Sequence, residues 1–190
     1  MFTAKVGLPL PTLPLELEKH ISEIAHDSQK PFLMYEAGLG RFECKPIDKQ
    51  ILYWSIKNLP ISLRSICVQT IRAGDFDVHV DGPTANGPPR EFNLMYIIEP
   101  GGNCVTTSFY KTTDQLLEIA GPTRILPLEH REKIDTFEFK PGQWILMNNQ
   151  CFHSVNGITS LRVGLSISLY KKEVDSYLEP LINRCPGYTA

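Results

Sequence analysis

Residues 141–170 read PGQWILMNNQCFHSVNGITSLRVGLSISLY, and this stretch decides the fold class. It holds three apolar runs separated by two turn signals. The runs are Trp144–Met147, Cys151–Val155 and Leu161–Tyr170, and the turns are Pro141-Gly142 and Asn156–Ser160. Short apolar runs bounded by Gly, Pro and Asn are typical of consecutive β-strands. The stretch therefore predicts three short strands joined by tight turns.

The same pattern continues toward the N-terminus as far as residue 63. Further strands are predicted at Leu63–Ile71, Phe76–Val80, Phe92–Glu99, Cys104–Tyr110 and Ile134–Phe139. The 13 glycines and 15 prolines of the chain make turns frequent. Roughly eight short strands with such turns predict a mainly β sandwich or barrel. A jelly roll fits best, because its two facing sheets hide most strand edges.

Helices are predicted on both sides of this β body. Residues 15–27 carry apolar side chains at helical spacing, which predicts an amphipathic helix. A C-terminal helix is predicted at Lys172–Arg184, before the breaker Pro186-Gly187. Residues 50–57 fit either a strand or a short helix, and residues 113–120 fit a helical turn.

The length of 190 residues predicts a single domain over residues 1–190. Within it we expect a helical or irregular N-terminal buttress at residues 1–62. The jelly-roll core is expected at residues 63–170 and the C-terminal helix at residues 171–190.

The amino-acid composition limits the kinds of binding partner and the cellular compartment that we expect. Nineteen Lys and Arg against 21 Asp and Glu give a net charge of -2, which disfavours a phosphate-gripping nucleic-acid surface. No apolar run approaches the roughly 18 residues that span a bilayer, so no membrane segment is expected. Five cysteines, none spaced as C-x-x-C, disfavour a disulfide framework and a zinc knot. We therefore expect reduced thiols and a cytoplasmic protein.

Two histidines begin His-x-acid tripeptides, namely His79-Val80-Asp81 and His130-Arg131-Glu132. In a strand, residues i and i+2 project from the same face, so His79 and Asp81 can reach one ion. The tripeptide at His130 lies in the charged stretch Glu129–Lys133, which predicts a solvated surface turn.

A third ligand is available on a later strand. His153 follows His79 by 74 residues, which leaves room for three or four intervening strands. His79, Asp81 and His153 would make a 2-His-1-carboxylate set, which leaves open positions on iron and suits non-haem Fe(II) oxygen chemistry. The alternative is two buried histidines with hydrogen-bond partners and a loop aspartate.

Arg162 lies nine residues after His153 in an apolar strand, across the predicted turn. A buried arginine is costly unless it meets an anion, and its planar fork suits a carboxylate. An anion-binding site beside His153 is therefore expected.

This layout resembles the Fe(II)/2-oxoglutarate-dependent dioxygenases, and most closely their prolyl-hydroxylase-like branch. The resemblance covers roughly residues 63–170. The matching segments are Ile71–Gly74 through His79–Asp81, then Arg90–Ile98, Pro141–Trp144, and His153 through Arg162–Ser166. It implies a double-stranded β-helix, which is a cupin-like jelly roll.

The resemblance also implies roles for particular residues. His79, Asp81 and His153 would hold Fe(II). Arg162 would pair with the distal carboxylate of the co-substrate 2-oxoglutarate, and O2 would take a remaining position on the metal.

Further residues would surround the co-substrate and the substrate. Asn93 and Ile97 share a strand face that would point toward the co-substrate, although the branch commonly has tyrosine where this chain has Ile97. Many relatives carry serine at the position of Gly164, and Ser166 on the same face is expected to compensate. Arg90 and the preceding loop are expected to contact the substrate.

The activity implied is hydroxylation of an unidentified small molecule or peptide side chain, coupled to oxidative decarboxylation of 2-oxoglutarate. The first alternative is a cupin-like metal- or ligand-binding module without oxygenase turnover, which would have no need of a buried Arg162. A second alternative is a structural jelly roll, which would retain no metal.

Overall fold

The computed structural model describes residues 2–37, 40–61, 65–72, 76–81, 91–113 and 123–180. For residues 35–37, 40–41, 81 and 123–124 it describes the backbone alone. The strands are β1 (Ala4–Val6), β2 (Leu33–Ala37), β3 (Gly40–Pro46), β4 (Ser65–Ile71), β5 (His79–Asp81), β6 (Phe92–Pro100), β7 (Thr106–Thr112), β8 (Thr123–Ile125), β9 (Arg131–Glu138), β10 (Trp144–Asn148), β11 (Phe152–Asn156) and β12 (Arg162–Leu169). The helices are α1 (Leu15–His26), α2 (Lys49–Asn58) and α3 (Lys171–Glu173), which continues as a π-helical turn at Val174–Leu178.

The strands form two antiparallel sheets. The larger sheet has the order β1-β10-β6-β12-β4-β3-β2, and the smaller one has the order β8-β5-β11-β7-β9. Successive strands of the chain alternate between the sheets over much of this region, as β4, β5, β6 and β7 do. This is the predicted mainly β jelly roll, and the fold class is confirmed.

The larger sheet has one apolar face toward the helices and one face toward the smaller sheet. Strand β12 shows the division, since Val163, Leu165 and Ile167 pack in the core cluster that contains α1. The intervening residues Arg162 and Ser166 are also buried but project to the opposite face, between the sheets. The inner face of this sheet therefore carries polar side chains.

The helix predictions are confirmed where the structure describes them. The amphipathic helix predicted at residues 15–27 is α1, and its buried residues are Leu17, Ile21, Ile24 and Ala25. Residues 50–57 are helical, within α2, because Asp48 caps the helix by accepting from the backbone N–H groups of Gln50 and Ile51. The helical turn predicted at residues 113–120 lies largely outside the described residues, as does the end of the C-terminal helix after residue 180.

The structure adds strands that the sequence analysis did not predict. Within residues 1–62, β1 pairs with β10, while β2 and β3 extend the large sheet beyond β4. The N-terminal part is therefore not only helical or irregular. The division of the chain into one domain with these boundaries stays a prediction.

In the second His-x-acid tripeptide, His130 and Arg131 are half-buried and Glu132 is exposed, so the stretch is solvated in part but is not only a turn. His130 ends a 3-10 turn at Leu128–His130, and Arg131 begins β9 at the edge of the small sheet. Among the described residues, no helix has the length and apolar character needed to cross a membrane.

A histidine–carboxylate pair joins the two N-terminal helices. His20 on α1 hydrogen-bonds the carboxylate of Asp48, the N-cap of α2. That hydrogen bond raises the pKa of His20 above its ordinary value of 6.5. Burial disfavours the charged form of Asp48, but the hydrogen bonds from His20, Ile51 and Gln50 lower the pKa of Asp48 below its ordinary 3.8.

We expect this pair to make stability depend on pH. The raised pKa of His20 means that its contribution is full below pH 6.5 and is lost as the pH rises through the raised value. The lowered pKa of Asp48 means that its contribution is lost as the pH falls below 3.8. Because the side chains are 29% and 36% exposed, the effect should stay below about 1 kcal/mol.

The check is urea unfolding of wild type and His20→Gln at about pH 5.5 and about pH 8.5. The wild type should lose more free energy of unfolding at the higher pH than the variant does. Equal losses would show that the pair contributes nothing.

Candidate active site

A cavity lies between the two sheets, toward the end where β5, β11 and β12 meet. It combines apolar walls with a small group of polar side chains. The residues that line it are Phe42, Gln69, Ile71, Phe76, His79, Asn93, Met95, Thr107, Met147, Asn149, His153, Val155 and Arg162. Four of these, namely His79, Asn93, His153 and Arg162, were predicted as site residues.

His79 and His153 are neighbours across two strands of the small sheet. They are directly paired in the β5–β11 register, and their ring centroids lie 4.5 Å apart. Both residues are buried, at 4% and 5% relative exposure. The two histidines, which are 74 residues apart in sequence, thus form one cross-strand pair.

Each imidazole is held by the same local hydrogen bond. His79 donates through Nδ1 to the backbone carbonyl of Asp77 at 2.7 Å, and His153 donates through Nδ1 to that of Cys151 at 2.9 Å. A carbonyl only accepts, so Nδ1 carries a proton in both rings, which leaves Nε2 as the nitrogen that can ligate a metal in the neutral imidazole. Metal-bound histidines are commonly fixed in this way, with one nitrogen on a backbone carbonyl and the other on the metal.

Asp81, the predicted carboxylate ligand, lies two residues after His79 on β5. Its backbone position places it on the same face of the strand as His79. Its side chain lies outside the described residues, and so does Arg90 with the loop before it. Among the side chains that are described, no three His, Cys, Asp or Glu residues cluster closely enough to hold a metal ion.

Arg162 lies at the start of β12, is 4% exposed and reaches into the cavity. Its buried Nε has no hydrogen-bond partner among the described residues, and its Cζ lies 5.6 Å from the centroid of the Phe139 ring. Burial lowers the pKa of Arg162 to about 10. The group therefore stays charged at neutral pH, and none of the described residues supplies the anion that would offset the cost of its burial.

Asn93 and Ser166 form a polar pair on the inner face of the large sheet. Ser166 donates through Oγ to Oδ1 of Asn93 at 2.9 Å, and Asn93 lines the cavity. Ser166 therefore reaches the cavity through Asn93. Ile97 shares the inner face of β6 with Asn93, where it packs in the apolar cluster with Met95 and Phe109, and it is not among the residues that line the cavity.

Gly164 is required by the local backbone. The β6–β12 register shifts between Val163 and Gly164, and a Cβ at Gly164 would lie 2.9 Å from the carbonyl oxygen of Tyr96. A serine at this position would therefore collide with β6, which accounts for the glycine in this chain.

Gly101 sets the position of Arg162. Its φ is +88°, and a Cβ there would lie 2.8 Å from Cβ and 3.2 Å from Cα of Arg162. Its carbonyl also accepts from the backbone N–H groups of Thr159 and Ser160, just before β12. The turn that carries Gly101 thus fits closely against the start of β12, from which the side chain of Arg162 extends.

We expect Gly101→Ala to displace Arg162. The substitution combines left-handed backbone strain with a backbone collision, and it should cost about 2 kcal/mol of unfolding free energy. It should also weaken binding of 2-oxoglutarate about tenfold, which calorimetry can measure.

The matched control is Gly7→Ala. Gly7 has a φ of +72° but open space around its Cβ position. This variant should show the strain alone, with unchanged affinity for 2-oxoglutarate. Equal affinities of the two variants would argue against the role of Gly101.

The polar cavity residues that the sequence analysis missed include Gln69, Thr107 and Asn149. Gln69 Oε1 and Thr107 Oγ1 are buried and have no hydrogen-bond partner. Strand alternation from Ile71 would have placed Gln69 on the inner face. Thr107 carried no comparable signal, because its position depends on the pairing of β7 with β11.

Comparison with known proteins adds a likeness of fold. No protein-family model matches the chain, and no curated protein matches it in sequence. Among solved structures, the epimerase SnoN of nogalamycin biosynthesis, in complex with Fe3+, alpha ketoglutarate and nogalamycin RO, has a TM-score of 0.57 and 12% identity. That match covers 99% of this chain and 87% of SnoN.

Two other enzymes match similarly. A prolyl hydroxylase from Trichoplax adhaerens, in complex with a hypoxia inducible factor peptide fragment, has a TM-score of 0.52 and 12% identity, over 90% of this chain and 84% of its own. The alpha-ketoglutarate-dependent carbocyclase SnoK has a TM-score of 0.56 and 8% identity, over 87% and 78%. The chain has the fold of the 2-oxoglutarate- and Fe(II)-dependent oxygenases. The predicted resemblance to that group, prolyl hydroxylases included, is confirmed at the level of fold.

The residues of this oxygenase fold suit the ligands that the resemblance implies. Two imidazoles with Nδ1 protonated, and a carboxylate two residues from one of them, are ligand types that iron accepts. The buried, unpartnered guanidinium of Arg162 suits a carboxylate. Both features line or border one cavity.

Proposed function

We propose that the protein is an Fe(II)- and 2-oxoglutarate-dependent oxygenase that hydroxylates a small molecule or a peptide side chain. The observation that carries this proposal is the meeting of two features in one cavity. The first is a histidine pair whose Nδ1 atoms are held by backbone carbonyls, and the second is a buried arginine that pairs with no anion among the described residues. A structural jelly roll would need neither.

His79, His153 and Asp81 would hold the iron, and Arg162 would hold the distal carboxylate of 2-oxoglutarate. Bound together there, the iron and 2-oxoglutarate supply, with O2, the oxidising power for hydroxylation, as 2-oxoglutarate becomes succinate and CO2. The carbonyls of Asp77 and Cys151 fix the two imidazole rings, so the metal site needs little rearrangement when it fills.

The chain also shapes the rest of the cavity. Phe42, Ile71, Phe76 and Val155 form apolar walls that exclude water from the space beside the histidines. Ser166 holds the carboxamide of Asn93 at the cavity surface, where its Nδ2 can donate to a bound co-substrate. Arg90 remains our candidate for substrate contact.

The experiment is a count of succinate formed from 2-oxoglutarate by purified protein with Fe(II) in air. Oxygenases of this kind convert some 2-oxoglutarate to succinate even without their hydroxylation substrate, so the experiment does not require that substrate to be known. We expect slow, oxygen-dependent succinate formation that a chelator stops and added Fe(II) restores. Tight metal binding without any succinate would instead support the cupin-like binding module.

A further inference from the structure

Unpartnered buried polar atoms are concentrated in the cavity. Among the described residues, four side-chain atoms are buried without a hydrogen-bond partner: Ser55 Oγ, Gln69 Oε1, Thr107 Oγ1 and Arg162 Nε. The last three belong to residues that line the cavity. Because buried polar groups are nearly always partnered, this concentration points to a missing polar ligand.

The three side chains converge from both sheets. Gln69 pairs with Gly164 and Arg162 pairs with Ile71, so both lie on the inner face of the large sheet, on adjacent strands. Thr107 faces them from the small sheet, where it pairs with Val155. Gly164, which is paired with Gln69, adds no side chain to that face.

The positive charge at this end of the cavity favours an anionic ligand. Arg162 is cationic, and none of the described lining residues is an Asp or a Glu. A carboxylate offers about four acceptor sites, of which a guanidinium fork uses two. The Thr107 hydroxyl can donate to a third. A half-turn of the Gln69 carboxamide presents its NH2 group to the fourth.

The position of Thr107 also fits the length of the co-substrate. His153 is paired with Phe109 on β7, and Thr107 lies two residues farther along that strand. Two residues of strand span about 7 Å. This separation is comparable to that between a metal bound at the keto end and the distal carboxylate of an extended five-carbon 2-oxo diacid.

We propose that Thr107 and Gln69 complete the carboxylate subsite of Arg162 and set the preference for a 2-oxo diacid over a 2-oxo monoacid. This inference rests on the proposed function. It assigns co-substrate selectivity to two residues that are not adjacent in sequence to the proposed metal ligands.

The test uses Thr107→Val and Gln69→Leu, which remove the donors and keep the approximate shape. Calorimetry on Mn(II)-loaded protein would give the dissociation constants of 2-oxoglutarate and of 2-oxopentanoate, which has the same chain length without the distal carboxylate. Each variant should bind 2-oxoglutarate about tenfold more weakly, a typical effect of one charge-assisted hydrogen bond. Binding of 2-oxopentanoate should change less than about twofold.

The control is Thr106→Val, the same chemical change on the opposite face of β7, which should leave both ligands unaffected. Gln69→Glu should weaken the binding of 2-oxoglutarate most, because the new carboxylate would repel the distal carboxylate of the ligand. Equal weakening of both ligands, or no weakening, would overturn the selectivity proposal alone. Failure of the wild type to bind Mn(II) and 2-oxoglutarate would overturn the proposed function as well.

Discussion

Replacement of Arg162 with methionine will abolish 2-oxoglutarate binding and, at the same time, stabilise the ligand-free protein. The loss of binding should exceed 100-fold, since the charge and the fork are both removed. The gain in stability follows from burial, which lowers the pKa of Arg162 to about 10. A shift of that size corresponds to a desolvation cost of roughly 3 kcal/mol.

Part of that gain will be offset. The methionine loses the contact of the guanidinium with Phe139, whose ring centroid lies 5.6 Å from Cζ. We therefore expect the free energy of unfolding to rise by about 1–3 kcal/mol, measured by urea titration without ligand. Removal of an arginine that forms a structural ion pair would have the opposite sign.

Arg72→Met is the matched control. The side chain of Arg72 is 61% exposed and donates through Nε to Glu43 at 3.1 Å. Its loss leaves the buried carboxylate of Glu43 with the Thr70 hydroxyl as its partner, so it should lower stability by about 1–3 kcal/mol and leave 2-oxoglutarate binding unchanged. A clear loss of stability in Arg162→Met would mean that the arginine stabilises the fold, which would contradict its assignment as an anion-binding residue.

Replacement of His79 or His153 with alanine should remove metal binding. Loss of a residue that merely orients a metal ligand commonly costs 10–100-fold in affinity, so loss of a ligand should cost at least about 100-fold. Asp81→Asn should weaken binding in the same direction, since it removes the only charge that the protein supplies in the proposed ligand set. Titration with Mn(II), followed by electron paramagnetic resonance, measures each affinity.

The second His-x-acid tripeptide provides matched controls. His130→Ala and Glu132→Gln make the same chemical changes at the edge of the small sheet, away from the cavity. Both variants should bind Mn(II) as the wild type does. A loss of affinity on mutation of His130, with none at His79, would move the proposed metal site to the other tripeptide.

The sequence alone was sufficient to predict the parts of the site that follow strand periodicity. His79 and Asp81 share a face by the two-residue repeat. Arg162 stood out because charge is costly in an apolar strand. These inferences use only local geometry and desolvation, which the order of residues determines.

Features that depend on pairing between distant segments were not predictable in the same way. Thr107 enters the cavity because β7 pairs with β11 in one register, and a shift of one residue would turn it to the other face. The strand Ala4–Val6 is too short to recognise by pattern and exists because β10 offers it an edge. By contrast, α2 was predictable from its cap at Asp48, a local signal that the periodicity alone left ambiguous.

The most direct test of the central claim is the visible absorption of the protein mixed with Fe(II) and 2-oxoglutarate without oxygen. Chelation of Fe(II) by the 2-oxo acid gives a metal-to-ligand charge-transfer band that neither component gives alone. We predict this band for the wild type, and its loss in His153→Ala and in Arg162→Met. Absence of the band in folded wild-type protein, or an unchanged band in both variants, would contradict the assignment of this cavity.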